Sequence, residues 1–278
     1  MLLRLLLLSA VLLPAGCRRD GGAIRLATTT SVDSSGLLEA LLPAFQQETG
    51  IGVDVLAVGS GKALQLARRG DADVTLTHDP GLEKSFLADH GARSYRKIMF
   101  NDFLIVGPAG DPARIGEATS AVEAMRRIAA SGQVFASRGD VSGTDGREKQ
   151  LWTLAGARPQ PDRLLETGQG MAPTLRVASE RTAYCLTDRA TFSQLGDRLV
   201  LDALFSGGPE LLNTYAVTVV GQANAERERA AERLAGWLAD GAGRDRIASF
   251  TVKGARPFSV WPRDAPRDSP DALPQRGS

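Results

Sequence analysis

Residues 24–31 read Ile24-Arg25-Leu26-Ala27-Thr28-Thr29-Thr30-Ser31, a short alternating strand that ends in four consecutive hydroxyl side chains. Beyond it Leu37, Leu38, Leu41, Leu42 and Phe45 recur at helical spacing, with Ser34 or Ser35 placed to cap the helix. Pro43 falls inside that stretch and is expected to bend or divide it. The unit is strand, hydroxyl-rich turn, helix. A helix start leaves backbone N–H groups without intrahelical partners, and hydroxyls beside them add donors, so such a junction suits a small oxyanion.

The same order recurs along the chain. Val53, Val55 and Ala57 alternate as a second strand, and Gly59-Ser60-Gly61 leads into a helix over residues 62–69. Val74-Thr75-Leu76 forms a third strand, after which Asp79 and Pro80 open another helix. Phe103-Leu104-Ile105-Val106 is an apolar strand closed by Gly107-Pro108. A second series follows: helices over 122–130, 147–154 and 175–182, with strands at Val134-Phe135-Ala136 and Tyr184-Cys185-Leu186. Near Asn213 the apolar run from Tyr215 to Val220 and a charged helix over 226–238 read as a return to the first block.

Strands alternating with helices predict an α/β protein with mostly parallel sheets. The expected architecture is two-lobed. Each lobe is a mixed, mostly parallel sheet flanked by helices, and two crossings near Gly107 and Asn213 join them. Residues 24–107 and 214–262 make the first lobe and 108–213 the second. Four prolines and several charges follow Trp261, and residues 263–278 are expected to stay unfolded.

The N-terminus has a basic start at Arg4, a largely apolar run from Leu5 to Leu13, and Pro14-Ala15-Gly16-Cys17. Such a run is too short for a permanent membrane span and reads as a signal peptide over 1–16. Small residues before a cysteine resemble a bacterial lipoprotein processing site. That resemblance implies lipidation of Cys17, a tether over 17–23 and an extracytoplasmic location at a membrane. The second of the two cysteines, Cys185, then lacks a partner, so no intrachain disulfide is expected.

Composition excludes several functions. With 43% hydrophobic and 23% charged residues the chain is an ordinary globular one, and a net charge of +1 offers no field for nucleic acid. The two histidines, His78 and His90, sit in no metal-ligand spacing, and Cys185 lies in an apolar strand. Gly61-Lys62 fails as a phosphate loop, because Leu56 stands where glycine is needed and Ala63 where Ser or Thr is needed. No enzyme, metal or cofactor is expected.

In open α/β sheets the ligand crevice lies beyond the carboxyl ends of the strands. The residues there are Thr29, Thr30 and Ser31; Ser60; Arg138 with Ser142, Gly143 and Thr144; and Gly170 with Met171. Ser31, Gly170 and Met171 carry the weaker signal. Arg138 stands out because it directly follows a strand and precedes a glycine, and its planar donor fork matches a tetrahedral oxyanion. Asp33, Asp140 and Asp145 read as turn or cap residues. His78 fits either a cleft wall or a packed position beside Asp79.

The residues resemble the substrate-binding proteins of bacterial tungstate ABC importers. The likeness is carried by Thr28-Thr29-Thr30-Ser31, by Val58-Gly59-Ser60-Gly61-Lys62-Ala63-Leu64, and by Gly70-Asp71-Ala72-Asp73-Val74. Asn101-Asp102-Phe103, Ser137-Arg138-Gly139-Asp140 with Ser142-Gly143-Thr144, Gly168-Gln169-Gly170-Met171 and Asp188-Arg189 complete it. It implies a two-lobed periplasmic binding protein of the type II-like kind, expected as a monomer, that delivers tungstate (or molybdate) to an ABC permease; the alternatives are a molybdate or phosphate receptor of such an importer and a ligand-sensing module of a signalling system. The family's binding positions fall on Thr29, Thr30, Ser60, Arg138 and residues 142–144. Ser60 stands where threonine is usual, Asp145 replaces a histidine and Ala172 a glycine. Tungstate and molybdate only accept hydrogen bonds at neutral pH, whereas hydrogen phosphate also carries a proton, so a donor-only pocket favours the first pair.

Overall fold

The computed structural model describes residues 23–90, 92–221 and 224–274. The signal peptide over 1–16, Cys17 with nearly all of its tether, and residues 275–278 lie outside the described residues. The elements run β1 (Ile24–Thr29), α1 (Thr30–Ser34), α2 (Leu37–Thr49), β2 (Val53–Val58), α3 (Ser60–Arg68), β3 (Val74–Thr77), α4 (Pro80–His90) and β4 (Ser94–Gly107). Then come α5 (Ala121–Ser131), β5 (Phe135–Ser137), α6 (Gly143–Ala155), β6 (Leu164–Glu166), α7 (Met171–Glu180), β7 (Tyr184–Asp188) and α8 (Arg189–Leu195). The chain closes with β8 (Asp202–Ser206), β9 (Leu212–Val219), α9 (Ala225–Ala239), α10 (Ala242–Ser249) and β10 (Ser259–Val260).

Strand order is β2-β1-β3-β9-β4-β7-β5-β6, with β8 and β10 also paired to β4. The long strand β4 serves two sheets. Its residues 94–102 lie along β9, while 103–107 lie between β7 and β8. Strands β1, β2 and β3 are parallel, and β9 runs against both β3 and β4, so β4 points the same way as β1–β3. In the second sheet β5, β6 and β7 are parallel and β4 opposes them. Each sheet is therefore mixed but mostly parallel, with helices on its faces.

Burial explains the pattern. Strands covered on both faces lose strict alternation, and β3 and the antiparallel β9 beside it are buried along their whole length. The first core joins Leu26, Phe45, Val74, Tyr215, Leu234 and Trp237, with the Phe45 and Trp237 rings edge to face at 5.4 Å. The second half has two cores, one around Phe103, Ile128 and Trp152, the other around Leu104, Met171 and Leu175. Each fully buried Leu or Phe among them contributes roughly 1.5–3 kcal/mol.

Beneath the ends of β3 and β9 lies a buried ion pair, Lys97 Nζ to Glu83 Oε2 at 3.4 Å. Glu83 also accepts from the Thr77 hydroxyl (2.8 Å), the Tyr95 hydroxyl (2.7 Å) and the Asp79 N–H (3.1 Å), while Lys97 donates to Thr214 at 2.7 Å. These bonds fix the segment 77–79 that carries His78.

Three local expectations change. Pro43 does not divide α2, which runs unbroken through it; the break comes earlier, where Gly36 adopts a left-handed φ of 77° between α1 and α2. The N-cap of α2 is Gly36 and not Ser34 or Ser35, although the Ser35 hydroxyl, just before it, accepts the Leu37 N–H at 3.3 Å. The described part of the presumed unfolded tail, residues 263–274, is packed. Ala265 and Ala272 bury against Trp261, whose indole donates to the Pro266 carbonyl, and Lys97 N–H donates to Arg267 O at 2.7 Å. A single tryptophan supplies the apolar anchor that the segment's own composition lacks.

Candidate functional site

The first helix start is built from side chains that cap one another. Thr29 is the N-cap of α1 and accepts the Val32 N–H at 3.3 Å, and its hydroxyl lies 3.1 Å from that of Ser31. The Ser31 hydroxyl in turn lies 3.3 Å from His78 Nε2. Thr28 points away and donates to the Leu76 carbonyl at 2.9 Å. Thr30 opens α1 opposite α7: a β-carbon at Gly170 would lie 3.6 Å from its hydroxyl oxygen.

Ser60 opens α3 two residues earlier than the sequence reading indicated, and is fully buried with no hydrogen-bond partner for its Oγ among the described residues. Buried hydroxyls in proteins are nearly always satisfied, so an orphan at a helix start is a candidate ligand contact. The loop of the second half faces it. A β-carbon at Gly59 would lie 3.9 Å from Ser142 Cα, and one at Gly61 3.9 Å from the Val141 carbonyl.

Arg138 follows β5 and is 4% exposed. Its Nη2 and Nε donate to one oxygen of Asp140, at 2.5 and 3.2 Å, and its Nη1 reaches the Thr144 hydroxyl at 3.4 Å. The next residues turn sharply, with Gly139 at φ 60° and Val141 at φ 58°. A β-branched residue in the left-handed region is strained by about 1–3 kcal/mol, and such strain gathers where a loop must present its backbone. Ser142 then caps α6, accepting the Asp145 N–H at 3.3 Å.

The three acids resolve as follows. Asp33 is exposed on α1. Asp140 holds Arg138 and accepts the Ser142 N–H at 3.2 Å through its other oxygen. Asp145 reaches back past the Ser142 cap to accept the Val141 N–H at 3.1 Å and pairs with Lys149 at 2.7 Å; its second oxygen is buried without a hydrogen-bond partner among the described residues. Thr167 and Thr174 bond to each other and to the backbone before α7. Met171 places its side chain in the core with Leu104 and Leu175, which leaves only its backbone at the junction.

Sequence reasoning left His78 undecided and gave Arg147 no role. His78 is 4% exposed, and a β-carbon at Gly143 would lie 3.1 Å from its Cε1, so its ring touches the opposite helix start. Burial first, then the Arg138 charge, pull its pKa from 6.5 down to about 4, against a rise from the Asn213 side chain. It is neutral at physiological pH. Arg147 lies on α6, donates to the Leu212 carbonyl at 3.3 Å and stacks over Phe103. Its signal was weak: one arginine among many on a helix. Asp188, fully buried, caps α8 through Thr191, and burial raises its pKa.

The arrangement presents hydroxyls, helix-start N–H groups and a buried guanidinium, the donor set of an oxyanion receptor. The described residues contain no group of three or more His, Cys, Asp or Glu placed to hold a metal ion.

Comparison with known proteins agrees. The PBP superfamily domain matches residues 18–241. The chain is 38% identical over 242 residues to the tungstate-binding protein TupA of Peptoclostridium acidaminophilum, covering 86% of this chain and 77% of that one. It is 40% identical over 242 residues to a putative ABC transporter anion-binding protein of Haloferax volcanii, covering 84% and 71%. The solved structure of the tungstate ABC transporter from Geobacter sulfurreducens superposes with a TM-score of 0.75 at 40% identity, covering 82% of this chain and 98% of that one. The chain belongs to the PBP superfamily and, within it, to the family of tungstate ABC transporter substrate-binding proteins.

Proposed function

We propose that this protein captures tungstate outside the cytoplasm and delivers it to an ABC permease, without catalysis. The observation that carries the reading is the convergence of helix starts from both halves on a buried arginine, with the Ser60 hydroxyl left unpaired beside them. Arg138 supplies the charge and Thr144-side donors; Thr29, Thr30, Ser60 and residues 142–144 supply the remaining hydrogens. Ser31 serves as support for Thr29, and Gly170 approaches Thr30 from α7. Residues 24–102 with 212–262 form one lobe and 103–211 the other; the first crossing falls inside β4 and not at the expected Gly107, because 103–107 pair with β7 and β8, and the lobes close about β4 and β9. Lipid on Cys17 holds the receptor, as a monomer, beside its permease.

Calorimetric titration with tungstate, molybdate, sulfate and phosphate tests the binding. Tungstate or molybdate is expected to bind most tightly, and tighter binding of phosphate refutes the donor-only site. Incorporation of labelled fatty acid, lost in Cys17→Ala, tests the anchor.

A further inference from the structure

We infer that His78 sets the width of the anion cleft and thereby selects the size of the tetrahedral dianion it accepts. This rests on the oxyanion-receptor reading above.

The ring is bracketed on every side by elements that carry donors or cannot move. Toward the first half, Nε2 lies 3.3 Å from the Ser31 hydroxyl, which is linked to Thr29 at 3.1 Å. Toward the second half it meets Gly143, the first residue of α6, where an added β-carbon would sit 3.1 Å from Cε1, 3.2 Å from Nδ1 and 3.3 Å from the His78 carbonyl. Behind it stand Tyr215, with ring centroids 5.1 Å apart, and Phe103 at 6.3 Å. The backbone on either side is tied down, since Thr77 and Asp79 both donate to the buried Glu83. A rigid ring therefore fills the space between the Thr29–Ser31 donors and the Gly143–Thr144 donors. Close-packed interiors resist compression, so the two donor sets come together no nearer than this ring permits. Being neutral, it acts as a spacer and adds no charge to the pocket.

Gly143 has the matching property on the opposite wall. Any side chain there strikes the imidazole, so the helix start rests directly on the ring. The site's size preference is then a property of this contact and not of Arg138, whose fork accepts any tetrahedral oxyanion.

Tungstate and sulfate isolate the effect, because both are fully ionised at neutral pH and differ chiefly in size. Wild type, His78→Asn, His78→Gln and Gly143→Ala are titrated with each anion, with circular dichroism confirming the fold. Wild type is expected to favour tungstate. In His78→Asn the shorter side chain lets the walls approach, and the tungstate-to-sulfate affinity ratio is expected to fall about ten-fold or more, the scale of one charge-assisted hydrogen bond gained or lost. His78→Gln is expected to lie between the two. Gly143→Ala pushes the walls apart, so sulfate is expected to lose more affinity than tungstate. Folded His78 variants that bind tungstate with the wild-type ratio overturn the inference and leave the receptor reading standing. Should the His78 variants fail to fold, equal losses for both anions in Gly143→Ala overturn it instead. Wild type that binds neither anion removes both readings.

Discussion

Two buried groups near the cleft titrate in opposite senses, and their cancellation is open to direct measurement. Glu148, 4% exposed on α6, has its pKa raised from 4.5 to about 7, chiefly by burial, despite bonds from Ser137 and Trp152 that favour the carboxylate. Between those values the native state holds a proton that the unfolded chain has lost, so stability falls as pH rises, by about 1.4 kcal/mol per pH unit. His78 does the reverse. With its pKa at about 4 against 6.5 unfolded, the unfolded chain binds the proton first, and stability rises with pH across that window. From about pH 4.5 to 6.5 the two slopes offset each other. Glu148→Gln deletes the falling slope: its stability relative to wild type is expected to rise by about 3 kcal/mol between pH 4.5 and 7. His78→Asn deletes the rising one, and its relative stability is expected to fall by about 3 kcal/mol between pH 4 and 6.5. The double variant runs parallel to wild type where the windows overlap. Urea unfolding of ligand-free protein across this pH range, with the m-value checked for constancy, measures all four curves. Single-variant curves parallel to wild type would refute the assigned burial effects.

Three further outcomes follow from the geometry. Arg138→Ala leaves the partly buried Asp140 carboxylate without its cation and removes the buried guanidinium proposed to meet the anion, so tungstate affinity is expected to fall at least about ten-fold by calorimetry, within a cost of about 2–5 kcal/mol for one truncated partner; an unchanged titration removes Arg138 from the site. Lys97→Met leaves Glu83 buried and unpaired and is expected to cost about 3–5 kcal/mol in urea unfolding, while Lys97→Met with Glu83→Gln recovers most of it. Trp261→Ala opens the cluster that anchors residues 263–274 and is expected to cost about 3–5 kcal/mol, with faster proteolysis of that segment than in wild type.

The sequence made the strand-helix alternation and the strand-end junctions legible because both follow from local rules: apolar spacing, caps and the Gly, Ser and Thr that helix starts require. Thr29, Ser60, Arg138 and Ser142 all stand at such junctions in the fold. What escaped was non-local. The split between α1 and α2 depends on Gly36 taking a left-handed conformation that Pro43 only distracted from. The order along residues 263–274 depends on Trp261 and on a backbone bond to Lys97, neither of which lies in the segment. His78 remained ambiguous for the same reason, because its meaning comes from Gly143, Ser31 and Tyr215, which are distant in sequence. Asp140 and Asp145 were legible as cap residues, and their partners in fact include the loop N–H groups of Ser142 and Val141.

The charge arrangement bears on how such a site discriminates. Arg138 is not a free cation: Asp140 takes two of its donors through a single oxygen, and Asp145 is compensated by Lys149. His78 is uncharged, and Asp188 is pushed toward its neutral form by burial. The cleft therefore carries little net charge, and attraction for an anion must come from aimed hydrogens more than from field. Field attracts any anion in proportion to its charge, whereas aimed donors select by where the oxygens sit. Asp140 makes that possible by locking the guanidinium plane, so that Nη1 and Thr144 point where an oxygen can be met. A strongly positive pocket would fill with whichever anion is commonest outside the cell. A nearly neutral one, closed by a capped helix start from each half and spaced by a rigid ring, excludes those whose oxygens fall short of the donors.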